Sequence, residues 1–327
     1  MTRHLKLGLS ITFLVVAMAL VGCQMGPSVS GSFDRALVVS GPIRLELSNV
    51  SGNVSIVGSA DGKVHLHGDV RASGMGFGDP QKRLDDVLAN PPVELKGDTL
   101  RVGKEMSRRH NVSISYAIEV PRDTEINSTS VSGSQSVRGV RGPVQVESVS
   151  GSLRAEDVGR EVKLSTTSGA VEAENCGDDV RATSVSGDVT VSNAKGDVLA
   201  HSVSGNIRVN SPGGRVDTGT SSGAIDVHGA NGDAKARSSA GRLTVQGNPS
   251  GNSFWELRTV SGPVSIAVPS AADFHLSASA VSGQIRTEIP IVIEEEGKHS
   301  LRARIGNGKG RVEIHTVSGG IDVQGMQ

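Results

Sequence analysis

The chain has 327 residues, with 33 basic and 34 acidic side chains and a formal net charge of −1. The absence of a basic excess argues against nucleic acid as a partner. Aromatic residues make up only 2% of the sequence, which leaves few rings on which a base or a sugar could stack. Cys23 and Cys176 are the two cysteines, and Cys23 belongs to the segment described next.

The N-terminus has the pattern of a bacterial export signal. Arg3, His4 and Lys6 form a short basic region, and residues 7–21 form an apolar run that is too short for a comfortable membrane span. The run ends in Leu20-Val21-Gly22-Cys23, which resembles the lipobox of bacterial lipoproteins. The alternative is an ordinary cleaved signal peptide with a chance cysteine.

The lipobox resemblance implies that residues 1–22 are a signal peptide and that Cys23 becomes the lipidated first residue. Multiple acyl chains would hold the protein stably on a membrane. The protein is therefore expected in the cell envelope, at the outer membrane or facing the periplasm if the host has two membranes. Residues 23–32 are expected to form a linker.

A regular repeat dominates the sequence after that segment, and repeats of this kind indicate stacked architectures. A small residue followed by glycine recurs with an 18-residue period, at Gly133, Gly151, Gly169, Gly187, Gly205, Gly223 and Gly241. A second glycine near the middle of each interval indicates two units per coil, although a three-sided coil remains possible. The pattern predicts an all-β, single-chain β-solenoid over residues 33–327, with two short strands in each coil.

Apolar residues follow the same period. Val185, Val189 and Val191 form one set, and Val203, Ile207 and Val209 form the equivalent set one coil later. The step of two is typical of the inward face of a strand, and the step of four spans the glycine turn. Val185 and Val203 are therefore expected in the core.

Hydroxyl residues form a column one position before those valines. The column contains Ser148, Thr166, Ser184, Ser202, Thr220 and Ser238. Stacked hydroxyl groups of neighbouring coils are expected to bond one another.

The period is interrupted near both ends of the repeat region. Within residues 71–111, Asp79-Pro80 indicates the start of a short helix, and Gly97-Asp98 indicates a hairpin. These elements are expected to form an irregular insertion in one continuous domain. Toward the C-terminus the glycine steps are further apart, and a strand is expected over 289–293.

The repeat resembles a bacterial family of uncharacterised β-strand-repeat proteins, the putative adhesins. The likeness rests on Ser-Gly-x-Val/Ile-x-Val steps such as 186–191 and 204–209, on the strand over 112–121 and on the closing segment 316–323. The resemblance implies a solenoid-like fold, and it brings no catalytic residues with it.

Three catalytic or metal-binding patterns have simpler explanations. Gly219-Thr220-Ser221-Ser222-Gly223 matches the serine hydrolase pattern, but no helix is expected after Ser221 and the repeat accounts for the match. His65 and His67 share one strand face without a third ligand. Aspartates that follow glycine lack the doubled glycine of calcium-binding repeats.

Cys176 aligns with small core residues and is expected to be buried and unreactive. The sequence therefore predicts no catalytic residue, no metal site and no cofactor, and Cys23 is the single modification site.

The preferred hypothesis is a non-catalytic envelope lipoprotein that presents its solenoid for adhesion, binding or scaffolding, with an envelope glycan or protein as partner. A carbohydrate-active β-helix enzyme is the first alternative, although acidic residues such as Glu172 and Glu174 are not expected to cluster. A regulatory or sensor lipoprotein of an envelope signalling system is the second.

Overall fold

The computed structural model describes residues 28–74, 79–104, 111–249 and 251–326. Cys23 and the expected signal peptide lie outside these residues. Two long sheets account for the fold, which confirms the prediction of an all-β solenoid. In the described part of the chain, no helix is both long and apolar enough to cross a membrane.

The 14-stranded sheet A contains β1 (Val29–Val38), β3 (Val54–Ser59), β4 (Lys63–Ala72), β7 (Val112–Pro121), β9 (Gln135–Arg138), β11 (Leu153–Val158), β13 (Val171–Cys176), β15 (Val189–Ala194), β17 (Ile207–Asn210), β19 (Ile225–Ala230), β21 (Leu243–Gly247), β23 (Val264–Val268), β25 (Ile285–Thr287) and β29 (Ile321–Gly325). The 15-stranded sheet B contains β2 (Arg44–Ser51), β5 (Val93–Lys96), β6 (Thr99–Val102), β8 (Glu125–Ser132), β10 (Val144–Ser150), β12 (Val162–Ser168), β14 (Val180–Ser186), β16 (Val198–Ser204), β18 (Val216–Ser222), β20 (Ala234–Ala240), β22 (Phe254–Ser261), β24 (Phe274–Ser282), β26 (Val292–Gly297), β27 (Ser300–Ile305) and β28 (Gly310–Ser318). The helix α1 spans Pro80–Ala89.

We call the coils from β8 to β21, which keep the 18-residue period, the regular region. Each of these coils contributes one strand to each sheet. In one such coil, β14 belongs to sheet B and β15 to sheet A, with Gly187 at the turn between them. Val180 pairs with Val198, and Val189 pairs with Ile207, so each strand lies parallel to the equivalent strand of the next coil. The sequence period is therefore the stacking period of the solenoid.

Glycine is needed at this turn because the coils approach closely. Gly169 has φ +140°, and a Cβ added there would lie 2.3 Å from the carbonyl oxygen of Gly151 in the preceding coil. Ordinary L side chains resist this backbone conformation, and such a contact is sterically forbidden.

The core lies between the two sheets and consists mainly of valine, isoleucine, leucine and alanine. In β14 the inward residues are Val180, Ala182 and Ser184, so the alternation of the strand turns Val185 outward. The prediction that Val185 and Val203 are core residues is wrong: their exposed fractions are 48% and 49%.

The column of hydroxyl residues is buried, but its partners differ from those expected. Ser184 and Ser202 donate to the carbonyl oxygens of Gly169 and Gly187, at 3.1 and 3.0 Å. A direct hydroxyl pair joins Ser130 and Ser148 at 3.1 Å, at the start of the column. The buried hydroxyl groups of Ser184 and Ser202 are therefore satisfied by the carbonyls of the glycine turns.

The N-terminal end of the stack is built from antiparallel strands. β1 pairs with β4, and β4 pairs with β7. β1 begins at Val29, so the domain boundary expected at residue 33 lies inside this strand. α1 packs on β1 and β4, and the Asp79 side chain caps it by accepting from the Gln81 N–H.

The helix and hairpin expected within residues 71–111 are present, and the hairpin belongs to the stack. β5 and β6 form the hairpin, and β6 also pairs in parallel with β2. β7, which follows, pairs in parallel with β3. β6 and β7 therefore form a coil outside the coil of β2 and β3, although they come later in the chain.

The C-terminal end also departs from chain order. β28 lies between β22 and β24 in sheet B, and β29 lies between β23 and β25 in sheet A. β26 and β27 extend sheet B as an antiparallel hairpin. The expected strand at 289–293 begins instead at Val292.

Candidate functional site

The outer face of sheet B carries two concave surfaces. Alternation along each strand turns every second side chain outward, and parallel pairing aligns these side chains into columns that run along the solenoid. Three such columns can be followed through the regular coils: one near the strand starts, one at mid-strand, and one beside the glycine turn.

A groove of about 720 Å³, which we call the strand-start groove, follows the first residues of the sheet B strands from β8 to β22. Acidic residues dominate its outer margin, at Glu125, Glu161, Asp179, Asp197 and Asp233. Asp197 accepts from the backbone N–H of Arg215 and from its guanidinium, at 2.8 and 2.9 Å. These hydrogen bonds lower the pKa of Asp197. The aspartates therefore join neighbouring coils at this margin.

A separate depression of about 590 Å³ lies at mid-strand, between β14 and β28. Its floor and walls include hydroxyl groups, three exposed valines and four nitrogen-bearing side chains. The nitrogen-bearing residues are His201, Arg237, Arg258 and His315. We call this surface the mid-strand depression.

Two arginines occupy directly paired positions in this depression. Arg237 on β20 pairs in register with Arg258 on β22, and Arg258 pairs in register with His315 on β28. Glu256 contacts Arg237 at 2.9 Å, Arg258 at 2.8 Å and Lys235 at 3.7 Å. One carboxylate therefore contacts three cations, and the residues that line the depression include two arginines and no acidic side chain.

The two histidines extend the arginine pair along the mid-strand column. His201 contacts Asp217 at 3.3 Å, and His315 contacts the Ser279 hydroxyl at 2.8 Å. Gly219 lies between His201 and Arg237 in the same column. The column thus presents nitrogen-bearing side chains on both sides of Gly219, which has no side chain.

Exposed valines form a third column beside the glycine turns. The column contains Val131, Val149, Val185, Val203, Val260, Val281 and Val317, with exposed fractions from 39% to 62%. In the regular coils, the positions between Val203 and Val260 hold Ser221 and Ser239 instead. The valine column is therefore interrupted beside the mid-strand depression.

Sheet A carries a cluster of ion pairs that the sequence did not suggest. Arg154 contacts Glu172 at 2.5 Å, Glu174 at 3.2 Å and Glu156 at 3.4 Å. The expectation that the acidic residues are scattered was therefore incorrect for Glu172 and Glu174. Hydrogen bonds from Arg138 are the main cause of a lowered Glu156 pKa. A general acid needs a raised pKa, so the environment of Glu156 is unfavourable for that role.

The histidines expected on one strand face lie on the outer surface of β4. His67 lies between Asp34 and Asp69, at 2.8 and 3.3 Å, and these contacts, first that with Asp34, raise its pKa. His65 contacts Asp61 at 3.1 Å. Over residues 28–74, 79–104, 111–249 and 251–326, no group of three or more His, Cys, Asp or Glu side chains is placed to hold a metal ion.

The remaining residues considered in the sequence have structural surroundings. Ser221 is exposed at the margin of the mid-strand depression, and no helix follows its strand. Cys176 is buried, which is the main reason that its pKa is raised to about 11. Asp188, which follows a glycine, accepts from the backbone N–H of Asn206 in the next coil.

The mid-strand depression was missed because no single motif marks it. Its two arginines do not keep the 18-residue period, since the coil between them is longer than the others. Aligning the strands by their inward residues, rather than by the glycine spacing alone, would have placed Arg237 beside Arg258. The substitution of valine by Ser221 and Ser239 was a second available signal.

The solved structures that match this chain have low sequence identity to it. They include a putative cell adhesion protein from Clostridium sporogenes ATCC 15579, with 10% identity, coverage of 90% of this chain and 100% of that one, and a TM-score of 0.22. A putative adhesin from Bacteroides fragilis NCTC 9343 has 13% identity, coverages of 90% and 97%, and a TM-score of 0.30. A putative lipid binding protein from Parabacteroides distasonis ATCC 8503 has 11% identity, coverages of 89% and 96%, and a TM-score of 0.35.

No curated protein matches the sequence of this chain. A family model described as Toastrack DUF4097 does match it, over residues 44–218 and 214–324. The two matches together include every complete coil of the regular region and most of both ends. The chain therefore belongs to the Toastrack family (DUF4097).

Proposed function

We propose that the protein is a non-catalytic binding module of the cell envelope, held on a membrane by lipid at Cys23. In this proposal, the outer face of sheet B binds an extended envelope component, either a glycan or a protein. The observation that carries the proposal is the pair of concave surfaces on that face: the strand-start groove and the mid-strand depression.

The rigidity of the solenoid supports a binding role. Backbone hydrogen bonds join every coil of the regular region to its neighbours, so the outward side chains are held at fixed spacings. A preorganised surface loses little conformational freedom when it binds, and this favours affinity. A long partner could contact several coils at once.

The ionic surroundings of the acidic groups favour binding over catalysis. A glycoside hydrolase needs two carboxyl groups, one of which is kept protonated by a raised pKa. The carboxyl groups clustered on sheet A contact Arg154, and the pKa of Glu156 is lowered. The ionised form of Glu156 is therefore favoured, and this form serves as a hydrogen-bond acceptor.

The anchor would place the N-terminal end of the stack close to the membrane. Val29, the first residue of β1, lies only six positions after Cys23. A chain of that length reaches at most about 20 Å. Both concave surfaces begin at β8 or further along the stack, beyond the strands of the N-terminal end.

The anchor is tested by expressing the full chain and its Cys23→Ala variant in a bacterium. We expect the parent protein in the membrane fraction, starting at an acylated Cys23 by mass spectrometry, and the variant without that modification. A parent protein that is cleaved elsewhere and is not acylated would overturn the lipid anchor.

Binding is tested with the purified full-length protein and isolated envelope fractions, namely cell-wall polymers and extracted surface polysaccharide. We expect saturable co-sedimentation with at least one fraction and no hydrolysis of the polymers, followed as release of reducing ends. Binding to none of the fractions would contradict the binding role. Hydrolysis of a polymer would establish the carbohydrate-active alternative.

A further inference from the structure

We propose that the mid-strand depression binds an acidic polysaccharide, whose carboxylates are taken by Arg237 and Arg258. This inference rests on the proposed binding function and names the class of ligand for one site. The structure supports it through charge, through shape and through the chemistry of the lining residues.

The depression brings two like charges side by side on neighbouring strands. Like charges directly opposite each other on neighbouring strands are destabilising. Arg237 and Arg258 occupy such positions, and both side chains are about half exposed. Because Glu256 is shared with Lys235 as well, it leaves hydrogen-bonding capacity on both guanidinium groups. An anion bound between them would relieve the repulsion.

The shape of the depression is not imposed by the fold. A Cβ added at Gly219 would meet the His201 ring at 3.5 Å, which is an ordinary contact. The backbone there does not require glycine, in contrast to the turn glycines. Ser221 and Ser239 likewise occupy positions that hold valine on neighbouring strands, namely Val203 on β16 and Val260 on β22. Three small residues on adjacent strands therefore open one space.

The lining residues match the surface of a sugar. Val203, Val260 and Val317 provide apolar edges, and serine and threonine hydroxyls lie between them. A pyranose ring combines apolar C–H faces with hydroxyl groups, and a uronic acid adds a carboxylate. The guanidinium fork binds a carboxylate with two parallel hydrogen bonds.

The extent of the site favours a linear polymer over a single sugar. The column from His201 to His315 crosses five neighbouring strands, β16, β18, β20, β22 and β28. At about 4.8 Å between strands, this column is about 19 Å long. Several residues of an acidic polysaccharide could lie along it.

The probe is alginate oligosaccharide, a polyuronate, titrated calorimetrically into the purified full-length protein. We expect saturable binding that weakens as salt is raised. Replacement of either arginine should weaken alginate binding about tenfold, because a charged hydrogen bond is lost. The Arg237→Ser/Arg258→Ser double variant should therefore show almost no alginate binding. Arg208→Ser is the matched control, because Arg208 is an exposed arginine on sheet A.

A second variant tests the shape without changing charge. Gly219→Thr/Ser221→Val/Ser239→Val fills the depression with residues that favour strands. We expect this variant to fold and to lose alginate binding while it keeps both arginines. Circular dichroism establishes that each variant is folded before binding is measured.

Each of these results would overturn the inference: no alginate binding by the parent protein, equal binding by the double arginine variant or by the space-filling triple variant, or equal binding of poly-glutamate. The proposed function is judged separately, by binding of the same variants to envelope fractions. If the double arginine variant still binds those fractions as the parent does, the module stands and this site does not. If the parent binds no fraction, the module itself fails.

Discussion

The middle of the solenoid and its two ends follow different rules of assembly. From β8 to β21, successive strands of each sheet keep the 18-residue period and stack in chain order. At the ends the order changes: β6 and β7 lie outside β2 and β3, and β28 and β29 are inserted inside β24 and β25. In the middle, each coil depends on its immediate neighbours, whereas the ends depend on pairing between distant segments.

The comparison explains how an open stack of strands is closed. Each inner coil of a solenoid is covered by a neighbouring coil on either side. A terminal coil lacks one neighbour, so its exposed strand edges must be covered in another way. The N-terminal end is covered by the antiparallel strands β1 and β4 with α1 packed on them. The C-terminal end inserts its last strands between earlier ones and adds the β26–β27 hairpin. The following five predictions test this difference.

Removal of the inserted C-terminal coil should have the largest effect. Deletion of residues 310–327 removes β28 and β29, so β22 and β24 lose the strand that lies between them. We expect the C-terminal coils to open while the coils from β8 to β18 stay folded, because stacking is local there. Limited proteolysis and the fluorescence of Trp255, the single tryptophan, provide the measurement. Unchanged fluorescence would show that the inserted coil is dispensable.

Replacement of the largest core residue should have the next largest effect. Trp255 is fully buried at the junction between the regular coils and the C-terminal end, and its indole N–H donates to the Gly232 carbonyl at 2.9 Å. Trp255→Ala should lower the free energy of unfolding by about 3–5 kcal/mol, measured by chemical denaturation with circular dichroism. Phe254→Ala, at the neighbouring exposed position, is the control and should cost far less.

Substitution of a turn glycine tests the close stacking of the middle coils. Gly169→Ala should destabilise by about 1–3 kcal/mol, because of its φ of +140° and the Gly151 carbonyl that its Cβ would meet. Gly219→Ala in the mid-strand depression is the matched control. It should leave thermal stability unchanged or raise it, since its Cβ meets only ordinary contacts. Equal losses in the two variants would show that close stacking does not select glycine.

Substitution at the hydroxyl column should have a smaller effect. Ser202→Ala removes the hydrogen bond to the Gly187 carbonyl and should destabilise by about 1 kcal/mol. Val203→Thr, at the exposed position beside it, should change stability less, although valine is the more apolar residue. A larger loss of stability for Val203→Thr than for Ser202→Ala in denaturant titrations would indicate that Val203 is a core residue after all.

The smallest effect is a pH dependence at the N-terminal end. The contacts with Asp34 and Asp69 raise the His67 pKa in the folded protein. The stabilisation is therefore fully present below the unfolded-state pKa of about 6.5, and it is lost as the pH rises through the folded-state pKa. Because His67 is partly exposed, solvent screening keeps the effect small. Denaturation of the parent and of Asp34→Asn across this range measures it, and parallel curves would contradict it.

The regular coils could be predicted from sequence because their pairing is local and periodic. The glycine spacing, the Val-x-Val steps and the Asp79-Pro80 start of α1 correspond to turns, strands and a capped helix in the structure. The inserted coil could not be predicted in this way, because the strands from β23 to β27 separate β22 from β28 along the chain. The arginine pair of the mid-strand depression was missed for a related reason, since Arg237 and Arg258 meet only when two unequal coils are aligned.

The sequence by itself determined the all-β class, the 18-residue coil and the small residues at its turns. The same steric requirement recurs in each coil, so the same type of residue recurs at each turn. Only the tertiary structure decided which of two neighbouring residues enters the core. Hydrophobicity favoured Val185, yet β14 continues unbroken from Val180 to Ser186, so Ser184 takes the buried position and donates to the Gly169 carbonyl of the preceding coil. The pairing of β14 with its neighbours fixes this alternation, and the hydrogen bond to the neighbouring coil makes a polar residue acceptable at the buried position.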